Sequence, residues 1–337
     1  MNTPVHVDAW AYFDGGAGEE VTLIENERAW RSMRFRPPVL RPVGSPDTTI
    51  DLLGSRLTSP VLVAPTALQG LAHHEGETAT RIGASMAGSL MVLSSRSSMP
   101  LGEIAAAGSG AWWFQIYAMR DRELTFELVV RAASAGAGAL VLTGDTPVVG
   151  VKRRPTPGLD VTGLHLQHLR AQTGRALRRE DVEQDPQAST RLIHELHEAT
   201  GLPVLVKGVL RGDDASRCVG EGAAGVIVSN HGGRQLDRAL PTAFALPSVV
   251  EAVQGAVPVL VDGGIRSGTD VLAALAMGAD ATLIGRPVLH ALADDGATGV
   301  RRLLTSIRDQ LAHAMTLVGA SSPDQVPRDL IVQPGER

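Results

Sequence analysis

The stretch that decides the fold is "PVLVDGGIRSGTDVLAALAMGADATLIGR" (258–286). An apolar, β-branched run, "PVLVDGG" (258–264), is followed by the helical "GTDVLAALAMGA" and then by a second apolar run, "ATLIGR" (281–286). The helical piece closes at a glycine, as helices often do. Neither run alternates apolar with polar residues, which suits parallel strands covered on both faces. The same unit recurs upstream. Six further runs are "VLVAPTA" (61–67), "LMVLSS" (90–95), "WWFQIY" (112–117), "ALVLTGD" (139–145), "PVLVKG" (203–208) and "GVIVSN" (225–230). Segments of helical period such as "DRELTFELVVRAASAG" lie between them. Eight strand–helix units predict an α/β fold, a (β/α)8 TIM barrel over 60–320; an open doubly wound sheet is the alternative.

Two regions fall outside this rhythm. Residues 1–59 form an N-terminal segment holding many Pro and Gly, and 146–185 form a long insertion after the fourth strand. Loops of that length are usually functional or mobile, so 146–185 is expected to be a mobile, lid-like segment. With no internal boundary, residues 1–337 read as one domain.

The bulk properties narrow the class. The chain has 337 residues, is 44% hydrophobic and 20% charged, and carries a net charge of −5. That balance fits a globular protein with a full core and gives no global attraction to nucleic acid or anionic membrane. The opening "MNTPVHVDAW" lacks the basic and apolar regions of a secretory signal, and no apolar run is long enough to span a bilayer. One cysteine, Cys218, leaves no internal disulfide. A cytoplasmic protein is expected.

The polar residues gather at the predicted C-terminal ends of the strands, where such barrels carry their active sites. They are Thr66, Ser94, Gln115 with Tyr117, Thr143 with Asp145, Lys207, Ser229 with His231 and Arg234, Asp262 with Arg266, and Arg286. Polar strand ends are ordinary. A histidine, an aspartate, a lysine, a tyrosine and an arginine around one mouth are less so, because they supply a base, its orienting partner, an electrostatic stabiliser and an anion clamp. The glycines of "DGGIRSG" and "IGRPV" are either simple turn residues or a phosphate cradle completed by Arg266 and Arg286.

"SNHGGRQLD" (229–237), "LVKGVL", "VDGGIRSGTDV" and "LIGRPV" resemble the FMN-dependent α-hydroxy-acid oxidase/dehydrogenase family, which includes glycolate-, lactate- and mandelate-oxidising enzymes. The resemblance runs from "AYFDGGAGEEVTLIENERAW" (11–30) through "APTALQGLAHHEGE" (64–77), "FQIY" and "LTGDTP" to about residue 320, nearly the whole chain. It implies FMN as cofactor and a small 2-hydroxy acid as substrate, with oxygen or a carrier as electron acceptor. It also implies a homo-oligomer, a tetramer. On this resemblance His231 is the base at the substrate α-carbon and Asp145 stabilises its imidazolium. Arg234 clamps the substrate carboxylate, and Tyr12 and Tyr117, the only tyrosines of the chain, contact substrate. Lys207, one of two lysines, favours the anionic reduced flavin. Ser94, Gln115, Thr143 and Ser229 hold the flavin ring, and Thr66 and Ala67 lie near its N5. Asp262, Gly263, Gly264, Arg266, Gly285 and Arg286 complete the cofactor site at its phosphate end.

Three departures bear on the substrate. The chain opens closer to Tyr12 than members of the family usually do. Arg96, in "SSRSS", stands where glycolate-oxidising members have a tryptophan. Lys152 replaces the family's second substrate-binding arginine, keeping the charge but losing the planar fork. A substrate other than glycolate, with a larger, polar or anionic side chain meeting Arg96, is expected; the alternative has Arg96 facing solvent. The pairs His165/His168 and His194/His197 have one-face spacing but no third ligand, so they read as exposed histidines and not as a metal site. "KRR" (152–154) reads as lid charge, and the last helix as core packing. A non-catalytic barrel binding FMN or a phosphorylated ligand is the competing functional class.

Overall fold

The structure, a computed structural model, describes residues 7–154 and 156–332; the first six residues of the opening stretch lie outside it. All eight predicted runs are strands of one closed, parallel barrel. They are β1 (Val61–Val63), β2 (Met91–Ser94), β3 (Trp112–Tyr117), β4 (Leu140–Thr143), β5 (Val204–Val209), β6 (Gly225–Val228), β7 (Val259–Val261) and β8 (Ala281–Ile284). The barrel closes by pairing β8 with β1. Most strands are shorter than the apolar runs that mark them. Six of the eight runs give up their C-terminal end to the loop that carries chemistry; β3 fills its run and β5 extends one residue past its own.

Burial explains the missing alternation. Every residue of β1, β2, β4, β6, β7 and β8 is buried, one set facing the barrel interior and the other the surrounding helices. The interior set includes Leu62, Leu90, Val92, Trp113, Val141, Leu205, Ile227, Leu260 and Leu283, and it is continued by Leu52 and Leu57. Those last two belong to a small antiparallel hairpin, Ile50–Leu52 with Ser55–Leu57, in the N-terminal segment. Helix Gly268–Ala276, read from the opening stretch, starts on a capping box between Ser267 and Asp270, which satisfies two otherwise orphan donors. The final segment Arg286–Leu317 is two helices meeting at a break at Asp295 and Gly296.

The N-terminal segment contributes more than a lead-in. Helices Val7–Asp14 and Val21–Ser32 pack over the C-terminal mouth of the barrel. Asp237 caps the second of them, accepting from the N–H groups of Glu19 (2.7 Å) and Thr22 (3.0 Å). Asn26 and Asn230 exchange two amide hydrogen bonds of 2.8 Å, and Trp30 Nε1 donates to the Gly263 carbonyl at 2.9 Å.

The insertion 146–185 stands where it was expected but is not a plain loop. It contains helix Val161–Thr173, capped by Asp160 and closed by Gly174 in the left-handed region, and a turn at Glu180–Val182. Leu166, Leu169, Leu177 and Val182 are buried, so the apolar residues of this mostly polar segment drive it to pack. One of the histidines expected to be exposed is also buried: His165 is 3% accessible, because it sits on the inner face of that helix beside Leu166. His194 and His197 are exposed as expected.

Candidate active site

Strand register builds the site. Ser94 pairs with Gln115, Tyr117 with Thr143, and Thr143 with Lys207. Neighbouring strands therefore end on a continuous polar arc. A relay runs along it: Ser94 Oγ donates to Gln115 Oε1 (3.2 Å) and Gln115 Nε2 donates to Thr143 Oγ1 (2.8 Å). The arc opens into a cleft of about 940 Å³. Its walls include Tyr12, Thr66, Ala67, Ser94, Arg96, Gln115, Tyr117, Thr143, Lys207, His231 and Arg234. Asp262, Gly263, Gly264, Arg266, Gly285 and Arg286 line its other end. Three residues expected in the site stand behind the wall instead: Asp145, Lys152 and Ser229.

Asp145 backs the histidine. Its Oδ1 lies 3.0 Å from His231 Nδ1 and accepts from Thr146 Oγ1 at 3.0 Å. Burial raises the Asp145 carboxyl, but His231 and Lys207 outweigh it, and the net shift is below the usual carboxylate range. Burial is also the largest influence on His231; it lowers the imidazole below its ordinary value against the opposing pull of Asp145. The pair at neutral pH is thus a carboxylate beside a neutral imidazole, with Nδ1–H held and Nε2 left as a base.

The backbone at His231 is unusual. His231, Gly232 and Gly233 all have positive φ, at 58°, 63° and 74°. A histidine in the left-handed region is uncommon, and such strain concentrates at functional sites. A side chain on Gly233 would come within 2.6 Å of the Leu23 backbone nitrogen, so glycine there lets the mouth meet helix Val21–Ser32. On β5, Gly208 (φ 111°) leaves room for Asp145, whose Cβ would lie 2.5 Å from an added Cβ.

Lys207 is buried and fully engaged on one side. Its Nζ donates to Ser229 Oγ (2.7 Å) and pairs with Asp262 Oδ2 (2.9 Å). Ser229 Oγ also accepts from the His231 N–H at 3.0 Å, which links the base to the lysine. Burial would lower Lys207, but Asp262 and Asp145 outweigh it and hold the ammonium above its ordinary value. Lys152 is the opposite case. Burial, then Arg234 and Arg286, pull it down to about 7, and its Nζ donates to the Arg234 carbonyl.

The arginines divide by their partners. Arg234 Nη1 donates to the carbonyls of Tyr12, Phe13 and Gly15 at 2.7, 3.1 and 2.8 Å, and its guanidinium lies 5.0 Å from the Tyr12 ring centre. Arg286 donates to the carbonyls of Phe13, Gly232 and Gly15; burial and the nearby Arg234 and Arg266 bring it down to about 9. Arg266 pairs with Glu27 at 2.8 Å. These contacts pin the N-terminal helices over the mouth, a role that reading the sequence did not foresee. Nor did it foresee Asn26, Trp30, Thr146 or Asp237. All four lie within stretches quoted for the resemblance, Asn26 and Trp30 in 11–30, Thr146 in "LTGDTP" and Asp237 at the end of "SNHGGRQLD", but nothing local says what they bond.

A profile of the FMN-dependent dehydrogenase family matches residues 2–333. The chain belongs to that family. Its curated relatives include an L-lactate oxidase from Nostoc sp., 44% identical over 331 residues, 93% of this chain and 90% of the relative. A glycolate oxidase from Spinacia oleracea is 41% identical over 332 residues, 95% and 90% of the two chains. Among solved structures, a mandelate oxidase variant with (S)-mandelic acid superposes with a TM-score of 0.86 at 40% identity, covering 98% of this chain and 95% of that one. The cofactor of the family is FMN, and the cleft fits it. Asp262 Oδ1 is buried without a hydrogen-bond partner among the described residues, and Lys207 has a third ammonium proton for a ligand. Past β7, Gly263 and Gly264 both have positive φ, and helix Arg286–Leu317 opens at the same end, where its N-terminus favours an anion. Among the described residues no helix is long and apolar enough to cross a membrane, and no cluster of His, Cys, Asp and Glu could hold a metal ion.

Proposed function

We propose that the protein oxidises a small 2-hydroxy acid to the 2-oxo acid, with His231 as base and oxygen as final electron acceptor. The observation that carries this is the imidazole of His231, buttressed by Asp145 at 3.0 Å, in a cleft that Arg234 and Lys207 also line. Bound FMN supplies the two-electron sink. The chain's own residues do the rest. Arg234 keeps Nε and Nη2 for the substrate carboxylate, since its donations to Tyr12, Phe13 and Gly15 all use Nη1. Tyr117, whose ring centre lies 6.5 Å from that of His231, and Tyr12 flank the substrate. His231 Nε2 receives one of the two protons the substrate loses, and the Asp145 carboxylate stabilises the resulting imidazolium. Lys207 offers positive charge to the reduced cofactor. Ser94, Gln115 and Thr143 would hold the flavin ring, Thr66 and Ala67 would face its N5, and Ser229 would act through Lys207. Asp262 would accept from a ribityl hydroxyl, Gly263, Gly264, Arg266, Gly285 and Arg286 would hold the phosphate end, and Lys152 adds charge behind Arg234.

The oxygen assignment is supported by relatives that are named oxidases. We also propose that residues 1–337 act as one unit, with 146–185 moving as a lid, and that the protein works in the cytoplasm as a homotetramer; the single cysteine suits a reducing compartment. The test is an anaerobic visible spectrum of the purified protein before and after glycolate, lactate, mandelate and dicarboxylic 2-hydroxy acids. Bleaching of the flavin by at least one, reversed with peroxide release on admitting air, is the expected result. A bound flavin that none of them bleaches would refute the oxidation reading and favour a binding role.

A further inference from the structure

We infer that the cleft carries a second anion subsite, centred on Arg96, that selects a 2-hydroxy acid bearing a carboxylate on its side chain. The inference rests on the oxidation reading above and deepens it. Arg96 lines the cleft and is half-buried, so its guanidinium does not simply extend into solvent. Of the four arginines in the cleft wall it is the one whose side chain donates no hydrogen bond among the described residues. Arg234 and Arg286 are spent partly on backbone carbonyls, and Arg266 on Glu27. Arg96 Nε is buried with no acceptor, which native structures rarely leave so.

No acid forms an ion pair with it among the described residues. The guanidinium carbon sits 4.7 Å from the Tyr117 ring centre. The other titratable groups that feel it are Lys152 and His165, the latter buried on the insertion helix with Nδ1 also lacking a partner. Burial first, and then Arg96 and His168, push His165 well below its ordinary value, so the imidazole adds polar capacity without negative charge. Glu77, a buried acid in the same loop system, is committed elsewhere. It accepts from the N–H groups of Gln69, Ser98 and Met99 and from Ser98 Oγ.

Those bonds fix the loop that carries Arg96. Its own N–H donates to Ser94 Oγ at 3.1 Å, and its carbonyl accepts from Leu68 N at 3.0 Å. A guanidinium held in this way, stacked on a tyrosine and short of an acceptor, is preorganised for a carboxylate. It follows β2, which β1 separates from the phosphate end at β8, and its guanidinium turns to Tyr117 at the end of β3, on the side of His231, so the ligand is not the cofactor phosphate. Tyr117 acts as a spacer, 6.5 Å from His231 and 4.7 Å from Arg96 between ring centres and guanidinium carbon. A substrate with C2 at His231 reaches the guanidinium through roughly one or two methylene groups. Malate and 2-hydroxyglutarate have that form.

The test compares malate with 2-hydroxy-4-methylpentanoate, which has the same shape with an isopropyl group in place of the distal carboxylate. kcat/KM for both is measured on the holoenzyme and on Arg96→Gln and Arg96→Lys. The expected result is a malate preference in the native enzyme that falls about tenfold to a hundredfold in Arg96→Gln, the effect of one charge-assisted hydrogen bond, and is partly kept in Arg96→Lys. A native enzyme that prefers the isopropyl compound, or an Arg96→Gln variant that loses both activities in equal proportion, overturns the subsite while leaving the oxidation reading intact. If no hydroxy acid reduces the flavin, the oxidation reading fails and the subsite is judged by binding. Malate then perturbs the oxidised flavin spectrum with a Kd raised at least tenfold in Arg96→Gln, or the subsite fails as well.

Discussion

Replacing Asp145 by asparagine removes one charge and almost no volume, and its effect follows from the geometry. Asp145 Oδ1 is 3.0 Å from His231 Nδ1, which sets the centres of carboxylate and imidazolium about 4 Å apart. At an effective dielectric near 20, two unit charges at that distance attract by about 4 kcal/mol. In the resting enzyme the imidazole is neutral, so most of this attraction appears only as His231 takes the proton. The loss falls on the transition state, and the rate of flavin reduction should drop about a thousandfold. The assay is stopped-flow bleaching of the flavin under anaerobic conditions, which isolates the chemical step from reoxidation. Asp145 does not line the cleft, so FMN content should match the native protein. A variant that binds FMN fully and reduces it within about tenfold of the native rate would refute the role of Asp145 as imidazolium stabiliser.

Burial lowers His231 below its ordinary value of 6.5, so the base form is present above that lowered value and the acid limb of kcat/KM should lie below pH 6.5; in Asp145→Asn, which removes a group that raises it, the limb should move to still lower pH. Lys152, at about 7, loses its proton as pH rises through neutrality, so kcat/KM should show an alkaline limb near pH 7 that Lys152→Arg abolishes. Lys207→Met strands Asp262 in a buried position and should cost about 3–5 kcal/mol of stability, read as a lower urea midpoint; Lys207→Met with Asp262→Leu should recover part of it. Asp237→Ala uncaps helix Val21–Ser32 and should cost about 1 kcal/mol, seen as a lower Tm with FMN bound.

Much of this site was legible because it is local in sequence. Each strand run carries its own polar terminus, so Ser94, Gln115, Thr143, Lys207 and His231 could be assigned to one mouth once eight runs had been counted. The relation between runs was not legible from the runs themselves. The pairing of Asp145 with His231 came only from the resemblance, and the room for it is made by Gly208 beside the irregularity at Lys207–Val209. That the insertion carries a helix with a buried face was not legible for a related reason. Leu166, Leu169 and His165 share one face of a helix, but nothing in a short polar stretch says which surface that face will cover.

The sequence by itself determined the barrel, the order of its strands and the residue types at its mouth. Unbroken apolar runs need cover on both faces, and eight of them separated by helices satisfy that need by closing. Only the tertiary structure decided which charges are spent and which remain free. Arg234, Arg266 and Arg286 hold the N-terminal helices through carbonyls and Glu27, and Arg96 is left without an acceptor. Partnership between charges is set by distances across the fold, and residues far apart in the chain acquire those distances only when it closes.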